Sequence, residues 1–281
     1  MNYQELLAVS YGMGAALSWG TGDFSGGIAS KTSGALGVVL FSYMVGICML
    51  LVFAIVQGSP IPDKRILGLG IAAGVTSVLG LTSLYRGLAS GRMSIVAPVA
   101  AVVTAAVPVL FGMAVEGVPG NLKLAGFLAA FAAIWLLCAP DREIPLRLKD
   151  LKLPLVAGVS FGISFIFIDR AAEVSVLWPL IVAKGTGVLI LLSVFTLRRM
   201  GTRPRKKDFP LIFLAGVLDS AGGIFFALAA STGRLDIAAV LSSMYPAGTV
   251  LLAWLVLKES LSSRRMTGIL AALIALVLIA S

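Results

Sequence analysis

Apolar residues are gathered into ten long segments, and short polar stretches separate them. About 20 consecutive apolar residues are needed to cross the hydrocarbon core of a bilayer as a helix. Gly and Pro occur inside many of the segments, which transmembrane helices tolerate. The pattern predicts ten transmembrane helices, at 6–29, 34–57, 66–89, 93–115, 121–139, 153–172, 176–197, 209–231, 235–257 and 263–280.

Composition supports lipid as the main solvent. Of the 281 residues, 59% are hydrophobic and 12% are charged, whereas soluble domains average about 25% charged residues. The net charge of +9 is compatible with nucleic-acid binding, but no basic face with interleaved aromatic residues accompanies it. Most Lys and Arg residues lie between the apolar segments, as loop charges of a membrane protein do. We therefore expect an integral membrane protein that does not bind nucleic acid.

The first segment contains a carboxylate, Asp23, within the stretch "AALSWGTGDFSGGIAS". The N-terminal "MNYQE" has no basic region and no cleavage site follows it, so this segment is predicted to be a retained span rather than a signal peptide. Its glycines do not fit the G-x-G-x-x-G nucleotide-binding pattern, and no strand precedes them. Asp23 is therefore predicted to lie inside a transmembrane helix.

The chain repeats itself at a nearly constant offset of 142 residues. The offset relates Gly74 to Gly216 and Gly126 to Gly268, and similar matches continue through the loops. Each half holds five predicted helices, and an odd number makes the two halves enter the membrane from opposite sides. This is the inverted repeat of many secondary transporters.

The repeat also defines the domain organisation. We expect a first five-helix repeat at 1–140, a linker at 141–152 and a second five-helix repeat at 153–281. The predicted fold is an all-α integral membrane protein made of ten transmembrane helices in two inverted five-helix repeats.

Three motifs resemble the EamA family of the drug/metabolite transporter superfamily. They are "LSWGTGDF" in the first segment, "GRMSIVAPVAAVVTAAVPVL" in the fourth, and a Glu followed by a helix with an early Gly, at Glu116–Gly126 and Glu259–Gly268. The resemblance covers both repeats. It implies a central cavity, alternating access, and transport of small metabolites, amino acids or drugs by proton coupling or exchange.

The same resemblance implies partners and a location. The expected partners are a small-molecule solute, the lipid bilayer and a coupling proton, with the chain acting as a monomer or a weak dimer and no cofactor. The expected location is the inner (plasma) membrane of a prokaryote.

The family arrangement places both termini in the cytoplasm. The Lys and Arg residues instead concentrate in loops after odd-numbered helices, above all in "RRMGTRPRKK" after the seventh, which predicts the opposite orientation. The sequence does not decide between the two.

Charged residues inside spans are rare because each one carries an energetic cost of at least about 2.5 kcal/mol at mid-bilayer. Helical rise places Asp23 and Arg86 near one face, and Asp169 and Lys184 toward the other. We predict that each pair forms a gate at its face. The alternative is that the bases extend to the headgroups and that the acids are hydrogen-bonded inside the bundle.

Substrate binding is predicted at mid-depth. Asp219 lies near the bilayer midplane, where the first repeat has Ser77, and a charge that breaks the repeat suggests a function. Asp219 is predicted to bind a cationic group or to carry the coupling proton, with Asp23 as the outer acid of the same pathway. Trp19 and Tyr245 lie well inside their spans and are candidates for stacking on the solute. The alternative for these aromatic residues is packing or an interfacial belt.

The sequence favours a secondary transporter of a small organic metabolite that is amino acid-like, an amine or drug-like. A lipid scramblase or flippase-like protein is the alternative, since a cavity in a bundle can open to lipid. An enzyme is disfavoured because the chain has no His, the commonest catalytic base and metal ligand, and no cluster of metal-ligating residues. No Walker motif is present, so we expect no direct use of ATP.

Overall fold

The computed structural model describes residues 3–90, 93–115, 117–138, 148–199, 203–232, 234–247 and 263–279. Within these ranges all the regular secondary structure is helical. The helices are α1 (Tyr3–Ser33), α2 (Ala35–Val56), α3 (Lys64–Ala89), α4 (Met93–Val115), α5 (Asn121–Cys138), α6 (Leu148–Ala172), α7 (Leu177–Leu197), α8 (Phe209–Thr232), α9 (Leu235–Ser242) and α10 (Ser263–Ile279), with a 3-10 turn at Lys206–Asp208.

Some predicted features fall outside the described residues. They are most of the linker at 141–152, the C-terminal part of the segment at 235–257, and the motif residues Glu116 and Glu259. The first part of that ninth segment is the helix α9, which ends in a turn at 243–244.

Local chemistry accounts for several helix ends. Gly34 separates α1 from α2 and adopts a φ of 75°, a conformation that glycine reaches without steric cost. Asp63 precedes α3, and its side chain accepts a hydrogen bond from the backbone N–H of Ile66 at 2.8 Å. This is an N-cap, which satisfies one of the free N–H groups of the first helical turn.

Five of the described helical stretches are long and apolar enough to cross a membrane. They are Ala35–Val56, Lys64–Ala89, Leu151–Ala172, Leu177–Leu197 and Lys206–Thr232. The outer surface is apolar as well: Ile55 is 77% exposed, Leu128 69% and Leu189 67%. Monomeric soluble proteins rarely expose apolar surface on this scale. The side chains face outward where lipid would cover them.

Helix packing follows the repeat. The contact of α1 with α8 has its counterpart in the contact of α6 with α3. The contact of α2 with α8 corresponds to that of α7 with α3, and the contact of α1 with α9 corresponds to that of α6 with α4. The helices α2 and α7 pack on each other, and so do α5 and α10. Each of these contacts thus has its counterpart when every helix is exchanged for the one five places away.

Glycines at matching positions permit the closest approaches. A Cβ added to Gly74 on α3 would collide with the carbonyl oxygen of Ala183 on α7. A Cβ added to Gly216 on α8, the residue 142 positions later, would collide with the carbonyl oxygen of Ser42 on α2. Small residues let helix backbones approach closely in membranes. These contacts bring α1, α2, α3, α6, α7 and α8 around a common centre.

Candidate functional site

A cavity lies between the two halves of the chain. It contains about 770 Å³ of space not filled by atoms, including the open space at its mouth. Both halves supply its walls, which consist of Trp19, Asp23, Tyr43, Ser77, Leu81, Thr104, Phe161, Ser164, Phe165, Ile168, Leu180, Ala183, Lys184, Asp219, Gly223, Phe226 and Tyr245.

An ion pair joins α7 to α8 in the wall of this cavity. The Lys184 ammonium donates a short hydrogen bond to Oδ2 of Asp219. Lys184 is only 7% exposed, and its Nζ lies 4.6 Å from the centroid of the Tyr43 ring. Gly46 on α2 leaves room for the lysine chain, because a Cβ there would lie 3.0 Å from Cδ and Cε of Lys184. The positive charge is thus held by a carboxylate and an aromatic face.

Aromatic rings form one side of the cavity. Trp19 and Phe165 are stacked, with their centroids 5.3 Å apart, and Phe165 stacks on Phe226 at 4.1 Å. The indole N–H of Trp19 donates to the backbone carbonyl of Asp219 at 3.1 Å. This bond fixes the orientation of the Trp19 ring against α8, so the indole presents an ordered flat surface.

Asp23 contributes a second carboxylate, which is half-buried. Its neighbour Gly22 lies against α8, since a Cβ there would be 3.5 Å from the backbone nitrogen of Asp219. Within the described part of the chain, no hydrogen bond or ion pair engages the Asp23 side chain. The cavity therefore holds one carboxylate that is paired and one that is not.

The structure does not bring together the residue pairs expected to form gates. Lys184 is bound to Asp219 and not to Asp169. Arg86 is exposed, and no ion pair or hydrogen bond joins it to Asp23. The physical reason is the same in both cases: helical rise predicts depth, whereas contact also requires the two side chains to face each other. Residues on either side of Arg86 are buried, so the arginine alone points outward.

Asp169 instead belongs to a chain of charges at the ends of α6 and α3. Its Oδ2 lies 3.8 Å from Nε of Arg170, and Arg170 lies 3.6 Å from Glu173. Glu173 is in turn 3.9 Å from Arg65 on α3. Arg170 also lies 5.4 Å from the centroid of the Phe111 ring on α4. This cluster ties three helices together at one face.

The predicted binding residues Trp19, Asp23, Asp219 and Tyr245 all line the cavity. Whether they contact a solute remains a prediction. Tyr85 does not line the cavity: it is fully buried, and a Cβ on Gly26 would collide with its ring and hydroxyl, so it packs between helices.

Several lining residues were not expected from the sequence. Phe161 is the residue 142 positions after Trp19, so the repeat could have pointed to it. Tyr43 and Thr104 carry no comparable signal. The hydroxyls of Ser77 and Ser164 lie 2.6 Å apart and join α3 to α6. Among the described residues no group of three or more His, Cys, Asp or Glu side chains is placed to hold a metal ion.

Comparison with known proteins adds the family. The model of the EamA-like transporter family matches residues 6–139 and 151–281. The chain belongs to the EamA-like transporter family. Membership and the apolar helices together make it an integral membrane protein, a transporter of the drug/metabolite transporter type.

One curated protein and one solved structure are similar to this EamA-like chain. An uncharacterised protein of Methanocaldococcus jannaschii is 28% identical over 127 residues, which are 93% of that protein but 45% of this chain. A crystal structure of a protein with 14% sequence identity has a TM-score of 0.79, covering 96% of this chain and 95% of its own. At that identity the likeness concerns the fold alone.

Proposed function

We propose that the chain is a secondary transporter that moves a small organic solute through the central cavity by alternating access. The observation that carries this proposal is a cavity at the boundary of the two halves, lined by both and containing ionisable groups well inside the helices. Charged residues at such depth are costly and usually serve transport or binding. Asp23 and Asp219 are the acids available there to bind a solute or a coupling proton.

The inverted repeat supplies the mechanical part of the proposal. Several helix contacts have counterparts when the two halves are exchanged, and the archaeal relative corresponds to less than half of this chain. Both observations support a five-helix unit that occurs twice. In an inverted arrangement, rocking one unit against the other would open the cavity first to one face and then to the other.

The relation between the halves has a direct test. Ile61 and Arg203 are 142 residues apart, and both are exposed in loops before α3 and α8. With Cys48 and Cys138 replaced by Ser, Ile61→Cys and Arg203→Cys should react with a membrane-impermeant maleimide from opposite faces of the membrane. Labelling of both from one face would contradict ten spans in inverted repeats.

Transport itself should be tested with the purified protein in liposomes. Uptake and counterflow of a metabolite panel containing cationic, zwitterionic and neutral members should show saturable transport of at least one class above protein-free liposomes. A lipid-scrambling assay on the same liposomes tests the alternative function. Scrambling without solute transport would overturn the proposal.

The variant Asp219→Asn distinguishes a role of Asp219 in transport from a purely structural role. If Asp219 takes part in transport, the variant should lose rate or change its pH profile. A wild-type rate with a wild-type pH profile would leave Asp219 as a structural acid only.

We further propose that the protein resides in the plasma membrane of a prokaryote, as a monomer or weak dimer.

A further inference from the structure

The charges that line the cavity do not cancel. Its described walls carry two acids, Asp23 and Asp219, and one base, Lys184. Lys184 is hydrogen-bonded to Asp219, so this pair contributes no net charge. When the Asp23 carboxyl group is ionised, one negative charge remains, and it resides on Asp23.

That remaining charge is poorly compensated by the protein. Asp23 makes no hydrogen bond or ion pair with any described residue, although it is half-buried in a helix that packs along α8. An isolated carboxylate at this depth is unfavourable by at least about 2.5 kcal/mol on insertion scales. A cation that enters the cavity would remove this penalty.

The walls near the acid favour an apolar body on that cation. Trp19 and Phe165 present stacked rings, and Phe161 lies in the same lining. Aromatic faces attract ammonium groups and pack against flat or apolar groups. The Tyr43 ring, in contrast, is already used by Lys184.

A second polar contact is available on α4. The hydroxyl of Thr104 is buried, with the residue 1% exposed, and it has no hydrogen-bond partner in the described structure. Thr104 lines the cavity. Buried hydroxyls are nearly always hydrogen-bonded, so this one is suited to a polar group on a bound solute.

We propose that the cavity binds a small organic monocation with an aromatic or other apolar body, and that the Asp23 carboxylate is its counter-ion. Lys184 neutralises Asp219, so this pair adds no net charge, and an ionised Asp23 leaves the described walls of the cavity at minus one. A zwitterion or a neutral solute leaves the net charge at minus one, and a dication leaves an excess positive charge. This inference rests on the proposed transport function and names its substrate class.

Equilibrium binding tests the proposal with three probes that share a phenethyl body. Phenethylammonium is the cation, phenethyl alcohol the neutral analogue and phenylalanine the zwitterion. By titration calorimetry on the purified protein, the cation should bind at least about tenfold more tightly than either of the others. Equal affinities, or no binding of the cation, would overturn the proposal.

Three variants test whether Asp23 is the counter-ion of the bound cation. Asp23→Asn should reduce the preference for the cation to less than about threefold, while Glu173→Gln, which removes an exposed acid outside the cavity, should keep it. The double variant K184M/D219L removes the internal pair but keeps Asp23, and it should still prefer the cation. Thermal unfolding of each variant confirms that it is folded.

The outcomes separate this inference from the proposed function. A folded Asp23→Asn protein that keeps the full preference, or a folded K184M/D219L protein that loses it, would overturn Asp23 as the counter-ion. Selective binding of the cation without transport of any solute would overturn the transporter and leave the binding site standing. Transport that does not depend on Asp23 would overturn the inference and leave the transporter standing.

Discussion

The contact of α1 with α8 and the contact of α6 with α3 use the same positions of the repeat. Ser164 on α6 donates from its hydroxyl to the carbonyl oxygen of Ala73 at 3.3 Å. Its counterpart on α1, 142 residues earlier, is Gly22, whose added Cβ would lie 3.5 Å from the carbonyl oxygen of Ala215, the counterpart of Ala73. The backbones therefore share one register, although the side chains differ.

The cavity shows the opposite behaviour, because its charges follow no repeat. Lys184 and Asp219 form an ion pair between α7 and α8. The residues 142 positions earlier are Ser42 and Ser77. They do not bond to each other: Ser42 donates to the carbonyl oxygen of Ile212 at 3.3 Å, and Ser77 meets a serine of α6.

Asp23 also departs from the repeat, but here the first half carries the charge and the second half does not. Its counterpart in the second half is Phe165, and both residues line the cavity. One half thus supplies an acid where the other supplies an aromatic ring. Helix packing thus conserves the repeat, whereas the proposed site uses positions at which the two halves carry different residues. Departures from a sequence pattern of this kind are expected at functional sites.

The largest effect should come from breaking the ion pair on one side only. Lys184→Met or Asp219→Leu alone leaves a buried charge without its partner, and we expect a loss of roughly 3 kcal/mol in unfolding free energy. The double variant removes both charges and should recover most of that loss. The measurement is unfolding in detergent micelles as a double-mutant cycle.

The matching serines provide the control for that cycle. Ser42→Ala and Ser77→Ala each remove a neutral hydrogen bond and should lower stability by only about 1 kcal/mol. If the serine variants are as destabilising as the single charge variants, the ion pair is not the feature that distinguishes the second half.

A smaller effect should follow from crowding the lysine. In Gly46→Ala the new methyl group would meet Ser220 Oγ and lie 3.0 Å from the Lys184 side chain, so we expect about 1–3 kcal/mol of destabilisation from overpacking. Gly185→Ala is the matched control, because nothing lies within 4 Å of its added Cβ. That control should be neutral or stabilised, by up to about 1 kcal/mol. Equal thermal shifts for both variants would mean that α2 does not pack against Lys184 as described.

The smallest effect tests the shared register. Gly22→Ser gives α1 the residue that Ser164 provides on α6, with its Cβ in ordinary contact with Ala215 and in a closer contact, at 3.3 Å, with Cβ of Leu218. We expect a change of less than about 1 kcal/mol in unfolding free energy, in either direction. A loss of several kcal/mol in the same unfolding assay would show that the α1–α8 and α6–α3 contacts are not equivalent.

Hydropathy predicted the helices well. The segments expected at 34–57 and 176–197 correspond to α2 at Ala35–Val56 and α7 at Leu177–Leu197. Long apolar runs end at polar or glycine-containing loops, so the sequence alone predicts where these helices begin and end. Whether all ten segments span the membrane remains a prediction.

The side-chain partners were harder to predict. Asp219 was singled out because the repeat has a charge there in place of Ser77, and it lines the cavity. Its partner Lys184 was assigned to another acid, since depth along a helix says nothing about rotation around its axis. The rotation is set by tertiary contacts, such as the approach of Gly46 to Lys184, and these appear only in the folded structure.

Transport of a permanently charged cation tests the central claim most directly. Purified protein in liposomes should take up labelled phenyltrimethylammonium in a saturable manner, with Asp23→Asn reduced at least about tenfold and Glu173→Gln close to wild type, because Asp23 is the acid of the described cavity walls that no base neutralises. Each variant is first shown to be folded by its unfolding temperature. Wild-type uptake by folded Asp23→Asn protein would contradict the account.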